Sequence, residues 1–397
     1  MTTTEVRASG RTVEIKRADK KLFPDDGITK ADLAAYYRRV GRRILPHLRG
    51  RPLMLERHPD GIDDGRFMQK DTPDHFPDWI HRSELPKEDG TVTYPVCDDL
   101  ATLLYLVDQA CITPHRWLSK ADRPDHPDQL IFDLDPPGED FEAVREAAAL
   151  LHDLLDRVGL PAALMTTGSR GLHVLVPLDR RAPFDDVRAF AHDLAGLLAD
   201  RHPDRLTTAP RKQARKGGLY LDVQRNGYGQ TAVTPYAVRA LPGAPVAAPL
   251  SWDELDDPDL TARRWTIATI DERLDGSDLE STLVNFIAAR YIGGVVVCIC
   301  DDSGEELRLR PRRRPRGSDQ APGERTSRRK VHRSERSGRW HAQWASTWAR
   351  PTPSSRCWRA ASPRSSPTPK ETGRRLPSWP SARAERSWSE RSPSGRQ

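Results

Sequence analysis

The ten residues QLIFDLDPPG (129–138) decide the fold. Leu130 to Leu134 form a short, strongly apolar run broken by Asp133, Asp135 follows at spacing two, and Pro136-Pro137-Gly138 stop it. In an extended strand alternate side chains leave opposite faces. Asp133 and Asp135 therefore share one face, while Phe132 and Leu134 turn toward a core. After the stop, Phe141, Val144, Ala148, Leu151, Leu155 and Val158 recur at helical spacing. A hairpin follows, Ala163–Thr167 and Leu172–Val176 around Gly168-Ser169-Arg170-Gly171. A second helix is expected through Val187, Phe190, Leu194, Leu197 and Leu198, and then a strand from Leu219 to Val223. Helices mixed with antiparallel strands make this an α+β domain.

Outward from this centre the pattern is looser. RTVEIK (11–16) alternates as a strand, and Thr29 caps a helix with Leu33, Tyr37, Val40 and Ile44 on one face, ended by Pro46. Between Gly50 and Asp128 the chain is punctuated by Pro, Asp and His. Short strands are expected there at Leu53–Glu56 and Val92–Val96, with an apolar helix near Leu100–Ala110. Tyr291–Cys300 reads as a buried strand. Past Arg310 only Val331 and Leu376 remain of the Leu, Ile, Val, Met, Phe and Tyr class, and six of the ten tryptophans appear. Such a stretch cannot bury enough apolar surface to offset its ordering entropy, so a disordered tail is expected over 311–397. The domain itself spans 1–290, with 291–310 as an apolar segment and linker.

The formal charge of +6 is deceptive. From Ser303 onward 24 Lys and Arg face 8 Asp and Glu, a surplus of 16 that leaves residues 1–302 at −10. The body is acidic and must meet any polyanion through a local basic patch. Five cysteines without CxxC pairing fit a reducing cytosol better than a disulfide scaffold or a zinc site. No run approaches the roughly 18 apolar residues of a membrane span. A soluble, cytoplasmic protein is expected.

The chemistry concentrates on carboxylates. Asp222 in LYLDV (219–223) occupies a mid-strand place like that of Asp133 and Asp135. Carboxylates this close repel one another unless a divalent cation lies between them, so three on sheet faces form a candidate Mg²⁺ or Mn²⁺ site. Ser169, Arg170 and His173 sit in or beside a turn whose glycines allow close approach to a phosphate, although a plain hairpin turn would look the same. Arg211, Lys212, Arg215 and Lys216 precede the Asp222 strand as a cationic loop. Lys87-Glu88-Asp89-Gly90 fits the adenylylation string of ATP-dependent ligases, but Val92 stands where their arginine belongs, and a polar turn is the better reading. His75, His81 and Cys97 form no zinc set.

Taken together, DLDP (133–136), SRGLHV (169–174), LYLDVQRN (219–226) and TAVTPYAVR (231–239) resemble the polymerase domain of bacterial ligase D, a primase-like enzyme of non-homologous end joining. The likeness runs from about Arg11 to Arg273. It implies a primase-like core of two packed mixed β-sheets with flanking helices, and transfer of NTPs or dNTPs to DNA 3′ ends. It also implies that Asp133, Asp135 and Asp222 bind the catalytic metals. Thr167, Ser169, Arg170, His173, Arg215 and Arg239 would contact the incoming nucleotide, as would His115 in ITPHRW (112–117). Lys20 and Lys30 match a pocket for the 5′-phosphate of a gap, and Phe67, Met68 and Lys70 a DNA-contacting loop. Met68 stands where many relatives carry a second Phe, and Gln230 where some carry Lys. The implied setting is the bacterial cytosol or nucleoid, with a Ku-type end binder and a separate DNA ligase as partners, since nothing here resembles the nuclease module of the multidomain ligase. A primer-independent primase and a DNA-end bridging module are the alternatives.

Overall fold

The computed structural model describes residues 2–87, 89–138 and 140–274, together with the strand segments Val297–Cys300 and Glu306–Leu309. Its centre is the expected strand, Gln129–Asp135. This strand lies third in a six-stranded sheet ordered Leu206–Thr207, Leu219–Asp222, Gln129–Asp135, Leu172–Pro177, Ala163–Thr166 and Pro249–Leu250. All neighbours pair antiparallel except Leu206–Thr207 with Leu219–Asp222, so the sheet is mixed.

Period-two alternation divides the sheet's faces. Phe132, Leu134, Val174, Leu164 and Leu221 are buried against the helices Glu142–Arg157 and Phe184–Arg201, whose Leu151, Leu155, Leu194 and Leu198 complete that core. Ile131, Met165 and Leu175 point the other way. They pack on Leu118, Ala232 and Val233 around a second, four-stranded sheet. That sheet runs Thr231–Val233, Cys111–Trp117, Leu53–Arg57 and Phe67–Gln69 and is antiparallel throughout. Two packed sheets are thus present as expected, with only the larger one mixed.

Beyond the second sheet, Leu53, Leu55 and Ile112 join a third core with the helices Lys30–Arg39, Gly41–Leu48 and Leu100–Asp108. Thr29 closes a reciprocal capping box with Asp32, as its position before the helix led one to expect. The helix expected to run unbroken to Pro46 instead ends at Arg39, and a new one carries Pro46 inside it. Only two residues follow Pro46 there, so the bond a proline cannot donate is lost close to a helix end. Tyr37 ties this layer down: its hydroxyl donates to the Ile112 carbonyl at 2.6 Å and accepts from the Val238 amide.

Several strands escaped the sequence reading, among them one strand in each of two hairpins. Thr3–Ala8 pairs with Arg11–Lys16 although it is mostly exposed and polar. Arg82–Lys87 pairs with Gly90–Pro95, and Lys87 faces Gly90 across a tight turn. The ligase-like string is therefore a hairpin turn, with Gly90 at φ +98°. Val297–Cys300 is a strand, paired antiparallel with Glu306–Leu309. The expected tail over 311–397 lies outside the described residues. No helix among the described residues is long and apolar enough to cross a membrane.

Candidate active site

The strand register assembles the acids. Asp133 lies opposite Asp222 on one side and His173 on the other, and Asp135 lies opposite Tyr220. Cross-strand partners share a face. Ligand oxygens of Asp133, Asp135 and Asp222 consequently fall within 4.8 Å of one another, a potential metal-holding cluster among the described residues.

Their environments differ. Asp133 is buried, which by itself would raise its pKa, yet the neighbouring His173 ring at 3.5 Å and the Arg225 guanidinium at 3.3 Å pull it down to about 2. Asp135 is pushed above the ordinary carboxylate value by burial and by the charge on Asp133. Asp222 accepts from the Tyr220 hydroxyl at 3.2 Å and the Gln224 amide at 2.7 Å. The proximity of the Asp222 charge adds to burial in raising Tyr220 to about 12. A cluster that pushes one of its own carboxyls above the ordinary carboxylate value is short of positive charge. Hard oxygen donors in that state fit a divalent cation.

Asn226 sets the far edge of this cluster. Its side-chain amide accepts from the Ile131 amide at 2.8 Å and donates to the Ile131 carbonyl at 2.7 Å, so it continues the ladder after the Asp222 strand has ended. The short 3₁₀ turn Gln224–Asn226 thereby brings Arg225 against Asp133. Arg225 was missing from the residues singled out by sequence.

The Gly-rich turn is built around Thr167. Its hydroxyl donates to the Gly171 carbonyl and accepts from the Ser169 and Gly171 amides, while its carbonyl accepts from Arg239 at 2.7 Å. Thr167 is thus a scaffold of the turn. The glycines are sterically required. A Cβ on Gly171 would lie 1.9 Å from the Leu134 carbonyl oxygen, and one on Gly168, at φ +65°, would meet Arg239 and the backbone of Val246 and Ala247 within 3.0 Å. Arg263, absent from the sequence reading, donates to the Ser169 carbonyl at 2.9 Å. Arg170 is exposed, with its guanidinium 3.8 Å from Asp135. Arg215 stacks over Tyr220 at 4.0 Å and donates to the Ala209 and Pro210 carbonyls.

Across the interface between the sheets, His115 projects from the strand Cys111–Trp117 and meets Glu56 at 3.1 Å. Glu56 is only 5 % exposed and was also missed. Despite burial, its hydrogen bonds with His115 and His58 hold it below the usual carboxylate range. Burial in turn lowers His115, leaving a neutral ring that can donate to the carboxylate. Phe67 and Met68 follow on the edge strand and are large exposed apolar side chains, at 43 % and 39 %. Lys70 beside them is exposed.

The two lysines of the expected phosphate pocket are engaged. Lys20 pairs with the exposed Asp60 at 2.6 Å. Lys30 is buried and donates to the Asp108 carbonyl at 2.7 Å, with the Asp108 carboxylate at 3.3 Å.

With this geometry in hand, comparison with known proteins is specific. Residues 29–279 match the family model described as LigD, primase-polymerase domain. The multifunctional non-homologous end joining DNA repair protein LigD of Mycobacterium tuberculosis is 34% identical over 262 residues, covering 64% of this chain and 34% of that protein. Multifunctional LigD of Pseudomonas aeruginosa is 33% identical over 270 residues, 68% and 32% of the two chains. Bifunctional LigD of Bacillus subtilis is 32% identical over 258 residues, 64% and 41%. The matched region spans about a third of the length of the first two relatives. Among solved structures, the polymerase domain from Mycobacterium tuberculosis ligase D in complex with DNA superposes with a TM-score of 0.64 at 33% identity, covering 69% of this chain and 97% of that one.

Proposed function

The chain belongs to the LigD primase-polymerase family, and on that footing we propose that it is a metal-dependent, DNA-directed nucleotidyl transferase of double-strand break repair. It transfers a nucleoside monophosphate from an NTP or dNTP to a DNA 3′-hydroxyl and releases pyrophosphate. The observation that carries this reading is the convergence of three carboxylates within 4.8 Å on a face that also gathers His173, Arg225 and Arg170.

Asp133, Asp135 and Asp222 are the residues to hold Mg²⁺ or Mn²⁺. When bound, such ions lower the pKa of the attacking hydroxyl and offset charge on the leaving oxygens. The chain's own groups do the rest. Arg239, anchored through the Thr167 carbonyl, is a fixed cation for the triphosphate, and Arg170 is an exposed one. Preorganised cations of this kind stabilise developing charge without reorganising during the step. Ser169 offers its hydroxyl and backbone from a turn held by Thr167 and Arg263. Arg215 and His115 are further contacts for the same nucleotide. Phe67 and Met68 offer apolar faces for bases, Lys70 a phosphate contact, and Lys20 with Lys30 a seat for a gap's 5′-phosphate. DNA ends and 5′-phosphorylated gaps are then the natural substrates, with a Ku-type end binder and a separate ligase as partners in a bacterial cytosol.

Primer extension on a gapped, 5′-phosphorylated duplex, with Mn²⁺ or Mg²⁺ and each nucleotide type, tests the reading. Metal-dependent extension is expected. Product formed equally well without a primer would favour a primase instead, and end joining unaffected by loss of all three acids would favour a bridging role.

A further inference from the structure

Glu56 has no role in the reading above, yet it is among the most heavily invested side chains near the site. Its carboxylate takes His115 Nε2 on Oε2 at 3.1 Å, and His58 Nε2 at 3.4 Å and Arg66 Nη1 at 3.2 Å on Oε1. Arg66 donates to this carboxyl, and the carboxyl is held below the ordinary carboxylate range, so it is the ionised, acceptor-only form and the two Nε2 atoms beside it are the donors. A histidine whose Nε2–H is fixed by a carboxylate must carry its lone pair on Nδ1, because the hydrogen bond at one ring nitrogen sets the state of the other. Nδ1 of His115 has no hydrogen-bond partner among the described residues. The charged groups nearest that ring from the other elements are Arg239 and Arg225, both cations of the site.

We propose that Glu56 is a positioning residue for His115, fixing its ring as the Nε2–H tautomer and presenting Nδ1 to the incoming nucleotide. This deepens the assignment of His115 as a nucleotide contact and rests on it. His58 and Arg66 serve the carboxylate rather than the ligand. Arg66 is 67% exposed at its side chain and dispensable for this task, since it occupies the oxygen that His115 does not use.

The test joins a spectroscopic readout to kinetics. Long-range ¹H–¹⁵N NMR on the full chain, labelled at histidine, reports the His115 tautomer, with His115→Gln identifying its signals. The Nε2–H form is expected in the wild type and in Arg66→Ala, and a mixed or Nδ1–H form in Glu56→Gln. In primer extension, Glu56→Gln and His115→Gln should each raise the nucleotide KM about tenfold, the scale of one charge-assisted hydrogen bond, with a smaller effect on kcat. The double variant should be no worse than His115→Gln. Multiplying effects in the double variant, or an Nδ1–H ring in the wild type, would overturn the proposal even if Glu56→Gln does not fold. If the tautomer shifts as expected but His115→Gln leaves the nucleotide KM unchanged, Glu56 still orients the ring and it is the nucleotide role of His115 that fails.

Discussion

Asp133 and His173 face each other across the antiparallel pairing of Gln129–Asp135 with Leu172–Pro177, with His173 Nε2 3.5 Å from Asp133 Oδ1. The acid belongs to one strand, and the histidine follows the Gly-rich turn on the next. A slip of one residue in this register would send every acid to the helix-covered face. Buried Phe132, Leu134 and Val174 on that face prevent it. The geometry of the carboxylate cluster and that of the Gly-rich turn are therefore fixed by the same apolar packing.

Removal of one acid should separate chemistry from folding. Asp133→Ala and Asp222→Ala should each lower extension by at least about a hundredfold, the scale of losing one electrostatic stabiliser in an active site, while DNA affinity stays near wild type. Extension within a few-fold of wild type in either variant would sink the assignment. Metal binding has its own readout in the thermal midpoint. Mn²⁺ at about a hundred times its Kd should stabilise the wild type by about 2.7 kcal/mol. Asp135→Asn should lose that gain, and without metal it should melt higher than the wild type, because it relieves the burial and like-charge pressure on that carboxyl.

The turn's glycines make a paired prediction. A methyl at Gly171 would collide with the carbonyl of Leu134, the residue between the two acids, whereas nothing lies within 4 Å of a Cβ on Gly138. Gly171→Ala should cost about 3 kcal/mol, the upper range for overpacking, and should abolish extension. Gly138→Ala should leave both melting and activity near wild type. Equal behaviour of the two variants would remove the steric argument.

The centre of the fold was legible because alternation and helical spacing there are strong. Asp133, Asp135 and Asp222 could be paired in advance, since a strand's faces follow from counting. Glu56 could not. It sits in LER (55–57) at the end of a strand, where a charged residue ordinarily marks the passage to solvent, and its burial depends on His115, 59 residues away. Arg225 depends on Asn226 acting as a surrogate strand residue, which no periodicity signals. Thr3–Ala8 is mostly exposed and so lacks an apolar pattern. The burial of Lys30 could not be read in advance because Asp108, its partner, lies 78 residues away.

That difference between the lysines shapes the test of the phosphate pocket. Lys20 pairs with an Asp60 that is largely in solvent, so Lys20→Ala should change stability by under about 1 kcal/mol. It should weaken binding to gaps bearing a 5′-phosphate far more than to gaps without one. Lys30→Ala would strand a buried carboxylate and should cost about 3 kcal/mol or more. The double variant Lys30→Ala, Asp108→Asn should restore most of that stability and reveal the effect of Lys30 on the phosphate. Equal loss of affinity for both DNAs would make these lysines general contacts.

Acid sensitivity should be traceable to the Glu56 and His115 pair. Both groups have folded pKa values below their ordinary ones, His115 through burial and Glu56 through the hydrogen bonds that overcome its burial. A depressed folded value means that the unfolded chain binds the extra proton, so stability rises with pH through the window between the two values. The contribution of His115 is present above about pH 6.5 and is lost below it, and that of Glu56 is present above about pH 4.3 and is lost as pH falls further. The thermal midpoint of the wild type should therefore fall in two stages on acidification. His115→Gln should flatten the stage just below about pH 6.5, and Glu56→Gln the stage below about pH 4.3, while lowering stability at neutral pH by about 1–3 kcal/mol through loss of a charged acceptor. Melting curves from about pH 2 to about pH 8 that run parallel for all three proteins would show that neither group titrates differently in the folded state, and the ionised Glu56 on which His115 depends would go with them.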